Sequence, residues 1–163
     1  MMSETAAAPE LEAALAEVKK AWRRGELCLA EIGGFTDKEL DAAVTAASRL
    51  IISRQTGEAL QVIGSLIFLK PREPKYYHLA GLALHAAERF DLADAYYRLA
   101  LAINPEDVAS LVYRGEVNLY LGKRKQGLSM LRRALELARG KPALDTFVMR
   151  ARAVERAFLE KPA

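Results

Sequence analysis

Tyr76-Tyr77-His78-Leu79-Ala80-Gly81-Leu82 and, a short gap later, Phe90-Asp91-Leu92-Ala93-Asp94-Ala95-Tyr96-Tyr97 decide the fold. Small and large apolar residues recur in them at helical rather than alternating spacing, so the pair reads as two helices joined by a turn. The same order returns one block earlier and one block later. Blocks 40–73, 74–107 and 108–141 align without gaps: Ala47, Gly81 and Gly115 share the eighth place, Ala59, Ala93 and Gly127 the twentieth, and Ile63, Tyr97 and Leu131 the twenty-fourth. Leu66, Ala100 and Ala134 share place 27; Pro71 and Pro105 close the first two blocks, and Pro142 falls just beyond the third.

The spacing has a physical meaning. Small residues at the eighth and twentieth places let two helices of a pair approach closely, and a larger one at the twenty-fourth fills the groove beside them. Gly81→Trp is therefore expected to overfill a contact with no spare volume. A single pair leaves one face bare, and stacking further pairs covers it. The prediction is an all-α chain without sheet, since alanine and leucine dominate and β-branched residues form no alternating runs.

Boundary signals agree with this frame. Thr36-Asp37-Lys38-Glu39 is a capping box, with Phe35 and Leu40 flanking it as a staple, and Gly33-Gly34 breaks the chain before it. Asp91 is placed to cap the second helix of the middle block, Gly122 to end the first helix of the third, and Gly140 with Pro142 to stop its partner. Residues 142–163 then hold one more helix, with Leu144, Phe147, Val148, Ala151, Val154 and Phe158 along a stripe; it serves as a cap over the third unit. At the other end, residues 1–9 are expected to lack order, and residues 10–35 to form a helical arm, helical over 10–31, with Leu11, Ala14, Leu15, Val18 and Ala21 on one side and Trp22 near its edge. That arm reads either as an N-terminal cap or as a dimerisation element carried by Leu11, Leu15, Val18 and Trp22.

The block pattern resembles the tetratricopeptide repeat, whose unit of about 34 residues is a pair of antiparallel helices. The middle block matches best, with Tyr77, Gly81, Phe90, Ala93, Tyr97, Ala100 and Pro105 in register. The resemblance implies three helix hairpins over 36–141 in a short right-handed superhelix. It also implies a concave groove lined by places two, five, nine, twelve and thirteen of each first helix. Carried across, those places give Asp41, Val44, Ser48, Ile51 and Ile52, then Lys75, His78, Leu82, His85 and Ala86, then Ala109, Val112, Glu116, Leu119 and Tyr120.

Repeats that clamp a C-terminal carboxylate place Lys and Asn where this chain has Val44, Ser48, Leu79, Ala109 and Tyr113. The lining is mixed with a distinct apolar part, so an extended peptide with a few apolar anchors is the better ligand, each anchor contributing about 1.5–3 kcal/mol when buried. Leu82→Glu and Val112→Glu are expected to weaken such binding and spare the fold.

The order of arm, three repeats and final helix, with the middle-block stretches quoted above, is also similar to the class II chaperones of bacterial type III secretion. That likeness implies a cytoplasmic chaperone that holds hydrophobic translocator proteins before export, and a homodimer. A tetratricopeptide adaptor or scaffold in an unrelated complex is the alternative.

Composition narrows the function classes. In 163 residues the net charge is +3, with 8 basic and 10 acidic residues before position 71 against 12 and 5 from 108 onward. Lys123-Arg124-Lys125 and Arg132-Arg133 lack interleaved aromatics or a nucleic-acid motif and read as a solvated helix face. The start has no signal-peptide pattern, no run approaches the ~20 apolar residues of a membrane span, and the single Cys28 makes no internal disulfide; a cytoplasmic location is the expectation. Cys28 reads as a small packing residue. His78 and His85, seven apart, lie about 10.5 Å apart along a helix and find no third ligand, so no metal is expected. Tyr77 and Tyr97 are expected in the core, Tyr76 and Tyr96 freer. No nucleophile elbow, phosphate loop or dinucleotide fingerprint is present, so neither an enzyme nor a cofactor is expected.

Overall fold

The computed structural model describes residues 16–21, 24 and 28–159. After a helical stretch at 16–21, the elements are α1 (Leu29–Ile32), α2 (Asp37–Ile52), α3 (Thr56–Leu69), α4 (Pro74–Ala86), α5 (Phe90–Ile103), α6 (Val108–Tyr120) and α7 (Arg124–Ala138). A 3-10 turn at Pro142–Leu144 then leads into α8 (Asp145–Leu159). Among the described residues there is no strand. Helices α2/α3, α4/α5 and α6/α7 pair as hairpins, neighbouring hairpins stack in series, and α8 lies on α6 and α7.

First and second helices start differently. Each first helix has a side-chain cap: Thr36 Oγ1 accepts from Glu39 N at 3.3 Å, Glu73 from Lys75 N at 3.4 Å ahead of Pro74, and Asp107 from Ser110 N at 3.0 Å. The second helices have none. They emerge from a repeated C-terminal motif in which Gln55 N donates to Leu50 O at 2.9 Å, Arg89 N to Leu84 O at 2.9 Å and Lys123 N to Asn118 O at 2.8 Å. The residue before each donor is left-handed: Arg54 (φ 59), Glu88 (φ 57) and Gly122 (φ 75). All three hold place fifteen of their unit, and only the third is glycine.

This motif corrects one sequence expectation. Asp91 caps nothing; it lies inside the first turn of α5, because the chain turns directly off α4 and the N-cap position falls on Arg89. A second correction concerns the tyrosines. Tyr76, in the first turn of α4, is buried against Ala30, Leu40 and Leu66, whereas Tyr77 is half-buried and its hydroxyl donates to Pro71 O at 2.9 Å. Tyr97 is fully buried and Tyr96 half-buried, as expected. Third, the run over 10–31 is not one helix: Cys28 is extended (φ −122, ψ 165) and opens α1 afresh, its N–H donating to Glu31 Oε2 at 2.9 Å. Leu11, Leu15 and Trp22 lie outside the described residues; Val18 is exposed.

Packing within each hairpin follows the small-residue places. A Cβ on Gly115 would stand 3.0 Å from Gly127 O, and one on Gly127 would stand 2.7 Å from Gly115 O and from Leu119 Cγ. Backbones in the third hairpin therefore touch where the first hairpin, with Ala47 and Ala59, tolerates methyl groups. The four largest fully buried side chains, Tyr97, Ile63, Leu66 and Leu131, include all three twenty-fourth places, so Leu131→Ala should cost about 2–5 kcal/mol. Between the second and third hairpins, Asp94 Oδ1 accepts from Arg114 Nε and Asn118 Nδ2, both at 2.8 Å. Burial works to raise the Asp94 carboxyl, but those two hydrogen bonds and the Arg114 charge together outweigh it and hold the group below its ordinary value.

Candidate functional site

Successive first helices α2, α4 and α6 are joined by polar pairs. Lys75 Nζ donates to Asp41 Oδ1 at 3.0 Å, linking the second places of α2 and α4. His78 Nδ1 and Ser110 Oγ lie 3.0 Å apart across α4 and α6. Beyond them, Arg150 Nε of α8 donates to Glu116 Oε2 of α6 at 2.8 Å, and its Nη2 lies at the same distance from that oxygen. The Arg150 guanidinium also covers the Tyr113 ring at 4.5 Å.

The second and third hairpins enclose a cluster of aromatic rings. His78 packs on Tyr97 and Tyr113 with centroids 5.5 Å apart in each case, and His85 meets Phe90, Tyr97, Tyr113 and Tyr120 at 5.7–6.5 Å. Tyr120 stacks on Phe90 at 4.8 Å and meets Phe158 of α8 edge-on at 5.7 Å. Burial holds both imidazoles below the ordinary histidine value; the Asp107 charge opposes this at His78, and Glu116 opposes it at His85. Among the described residues, Tyr97 Oη and His85 Nδ1 are buried without a hydrogen-bond partner, and burial pushes the Tyr97 phenol far up.

Most of the residues anticipated for the groove fall into three groups, with Ser48 and Ile52 apart. His78, His85, Glu116 and Tyr120 gather around the aromatic cluster. Val44, Ile51 and Leu82 join one apolar cluster shared by α2, α3 and α4, with Val44 and Leu82 half-buried and Ile51 buried. Ser48 is half-buried and uses its hydroxyl within α2, donating to Val44 O at 2.8 Å. Val112 and Leu119 point into the interior of the third hairpin, Val112 at 0% exposure, so Val112→Glu would bury a carboxylate and test stability rather than binding. Ile52, 82% exposed, and Tyr120, 53% exposed, are the large side chains these places offer to a ligand.

Arg150 was not anticipated, and Tyr113 and Phe158 were singled out only as a clamp place and as part of the capping stripe. The signal for Arg150 was present: it stands one repeat length after Glu116, as Lys75 stands one repeat length after Asp41. Among the described residues, no group of three or more His, Cys, Asp or Glu side chains is placed to hold a metal, and no helix is long and apolar enough to cross a membrane.

The tetratricopeptide repeat family model matches residues 74–107, the α4/α5 unit. No curated protein matches the sequence significantly. Solved structures do match the fold. A type III secretion complex from Aeromonas hydrophila is 20% identical, with a TM-score of 0.75 over 90% of this chain and 99% of its own. The translocator chaperone SycD of Yersinia enterocolitica is 20% identical, with a TM-score of 0.75 over 80% of this chain and 98% of its own. SycD in complex with a peptide of the translocator YopD gives 20% identity and a TM-score of 0.68 over 77% and 95%. The fold is thus one of stacked tetratricopeptide hairpins closed by a final helix, similar to those chains over most of its length.

Proposed function

We propose that this chain is a chaperone of type III secretion which holds an extended apolar segment of a hydrophobic translocator along the face built by α2, α4 and α6. The client is thereby kept from aggregating in the cytoplasm before export. One observation carries the reading: the similarity spans nearly the whole of the chaperone SycD, and one of the SycD structures holds a peptide of its translocator. The side chains suit such a ligand. Ile52 and Tyr120 are exposed, Leu82 is half-exposed between them, and each would contribute about 1.5–3 kcal/mol on burial. Less an association cost of about 4 kcal/mol or more, these three anchors alone leave at most about 5 kcal/mol, which is roughly submillimolar binding.

The chemistry of the face is that of binding rather than turnover. Its acidic and basic side chains pair across helices, as in Asp41–Lys75 and Glu116–Arg150. Residues 10–35 are assigned to self-association, through Leu11, Leu15, Val18 and Trp22; sedimentation of a chain lacking them should turn a dimer into a monomer.

Affinity capture from the native bacterium, with mass spectrometry of what co-purifies, tests the function. A stoichiometric partner with transmembrane segments, encoded among secretion genes, supports it. Recovery of a soluble multiprotein complex instead would make the chain an adaptor.

A further inference from the structure

We propose that α8 forms a fourth wall of the groove as well as covering the third hairpin, and that Arg150 is the residue through which α8 positions a bound segment. The ligand chemistry is a planar oxygen acceptor, either a peptide carbonyl or a carboxylate, on the part of the client lying over the third hairpin. This rests on the groove reading above.

The register is the first argument. Counting on by one repeat length places Pro142 where Pro74 stands, at the first place of a unit, and Arg150 at the ninth place, after Ser48, Leu82 and Glu116. Helix α8 therefore occupies the register position of a first helix. It packs as one, with Ala151 fully buried in the cluster that holds Val108, Leu131 and Ala138. The α6–α8 junction also repeats the α2–α4 junction: each is bridged by an ion pair between identical places of adjacent units, Asp41 with Lys75 and Glu116 with Arg150.

The second argument is how Arg150 is held. Nε and Nη2 share one oxygen of a Glu116 side chain that is only 9% exposed, and one face of the guanidinium lies on Tyr113. Yet the Arg150 side chain is 41% exposed, and among the described residues Nη1 has no partner. An arginine fixed on one edge and one face, with the other edge open, has little rotamer freedom left to lose when it binds an oxygen acceptor. Its setting favours an acceptor: the chain from 108 onward holds 12 basic against 5 acidic residues.

The test uses an array of acetylated decapeptides carrying two leucines at every spacing in an alanine–serine background, each made with a free C-terminal carboxylate and as the amide. Wild-type chain, Leu82→Glu, Arg150→Gln, Arg150→Lys and the double variant Glu116→Gln/Arg150→Met are compared, each with its melting temperature. Wild type should bind a subset, and Leu82→Glu should lose it. Arg150→Gln and the double variant should weaken that subset by about tenfold, with Arg150→Lys in between. A loss confined to the free acids identifies a carboxylate; an equal loss in acids and amides identifies a carbonyl. The double variant leaves no buried charge unpaired, so its loss at unchanged melting temperature separates recognition from support of α8. Full binding by Arg150→Gln in both peptide forms overturns the role of Arg150 and leaves the groove standing. If no peptide binds wild type, the groove reading itself fails and this inference with it.

Discussion

Gly81 faces the ring of Tyr97 so closely that a methyl group on Gly81 would stand 2.6 Å from Cε1 and 2.7 Å from Cδ1. The eighth and twenty-fourth places of a unit are thus one steric decision made twice. The first hairpin resolves it as Ala47 with Ile63, the second as Gly81 with Tyr97. Gly81→Ala alone should destabilise by about 1–3 kcal/mol, because Tyr97 is fully buried and cannot retreat. Combined with Tyr97→Ile, which restores the pairing of the first hairpin, the loss should be smaller than the sum of the single losses by about 0.5 kcal/mol or more, as is usual for residues in contact. Urea titration of the four chains gives the coupling; strict additivity would mean that the two side chains do not meet.

The left-handed place fifteen gives a second expectation. A side chain there costs roughly 1–2 kcal/mol relative to its preferred backbone conformation, and glycine avoids that cost at some expense in chain entropy. Arg54→Gly and Glu88→Gly should each leave stability unchanged or raise it by up to about 1 kcal/mol, whereas Gly122→Ala should lower it by about 1 kcal/mol. Opposite signs in thermal melting are the result that matters. A Gly122→Ala chain as stable as wild type would show that the turn relaxes out of the left-handed region.

Much of this was legible before the structure, for reasons that differ by residue. The repeat frame was readable because it is steric: Gly81, Gly127 and Tyr97 each answer to one close approach, which leaves little choice of side chain. The capping box at Thr36 is a local interaction within four residues and was equally plain. Tyr76 and Tyr77 were harder, because adjacent residues on a helix differ by about 100° and only the neighbouring hairpin decides which is covered. Asp91 misled because the cap rule presumes a free helix start, whereas α5 inherits its start from the end of α4. Arg150 escapes notice when the repeat is counted only to residue 141, because a single first-helix stretch is too short to show as a repeat of the whole hairpin.

The buried imidazoles make stability depend on pH. Both His78 and His85 lie below the ordinary histidine value of 6.5 in the folded chain, owing first to burial, so the unfolded chain takes up protons before the folded one does. Their contribution is therefore fully present above about pH 6.5 and declines as the pH falls from there toward the folded values. The groups facing His78 are Ser110, Tyr97, Tyr113 and the Asp107 charge; those facing His85 are Phe90, Tyr97, Tyr113, Tyr120, Glu116 and Arg150. The urea midpoint should drop between pH 7 and pH 5. His85→Phe, which keeps an aromatic ring among aromatic neighbours, should flatten that drop. An equally steep profile in the variant would remove His85 from the account.

Leu82 and Val112 were grouped as lining by their place in the repeat, and their burial now separates them. Leu82 is half-buried at the rim of the first apolar cluster, so a glutamate there can turn its carboxylate to water while leaving an apolar gap in the face. Leu82→Glu should lower affinity for a leucine-bearing peptide by tenfold or more and shift the melting temperature little. Val112 is fully enclosed between α6 and its neighbours, where a carboxylate has no water and no paired cation. Val112→Glu should cost about 3–5 kcal/mol, enough to unfold much of a marginally stable domain, and any lost binding would follow from lost structure. Peptide anisotropy and circular dichroism on both variants make the distinction. A folded Val112→Glu chain that binds normally would show that α6 can turn this residue outward.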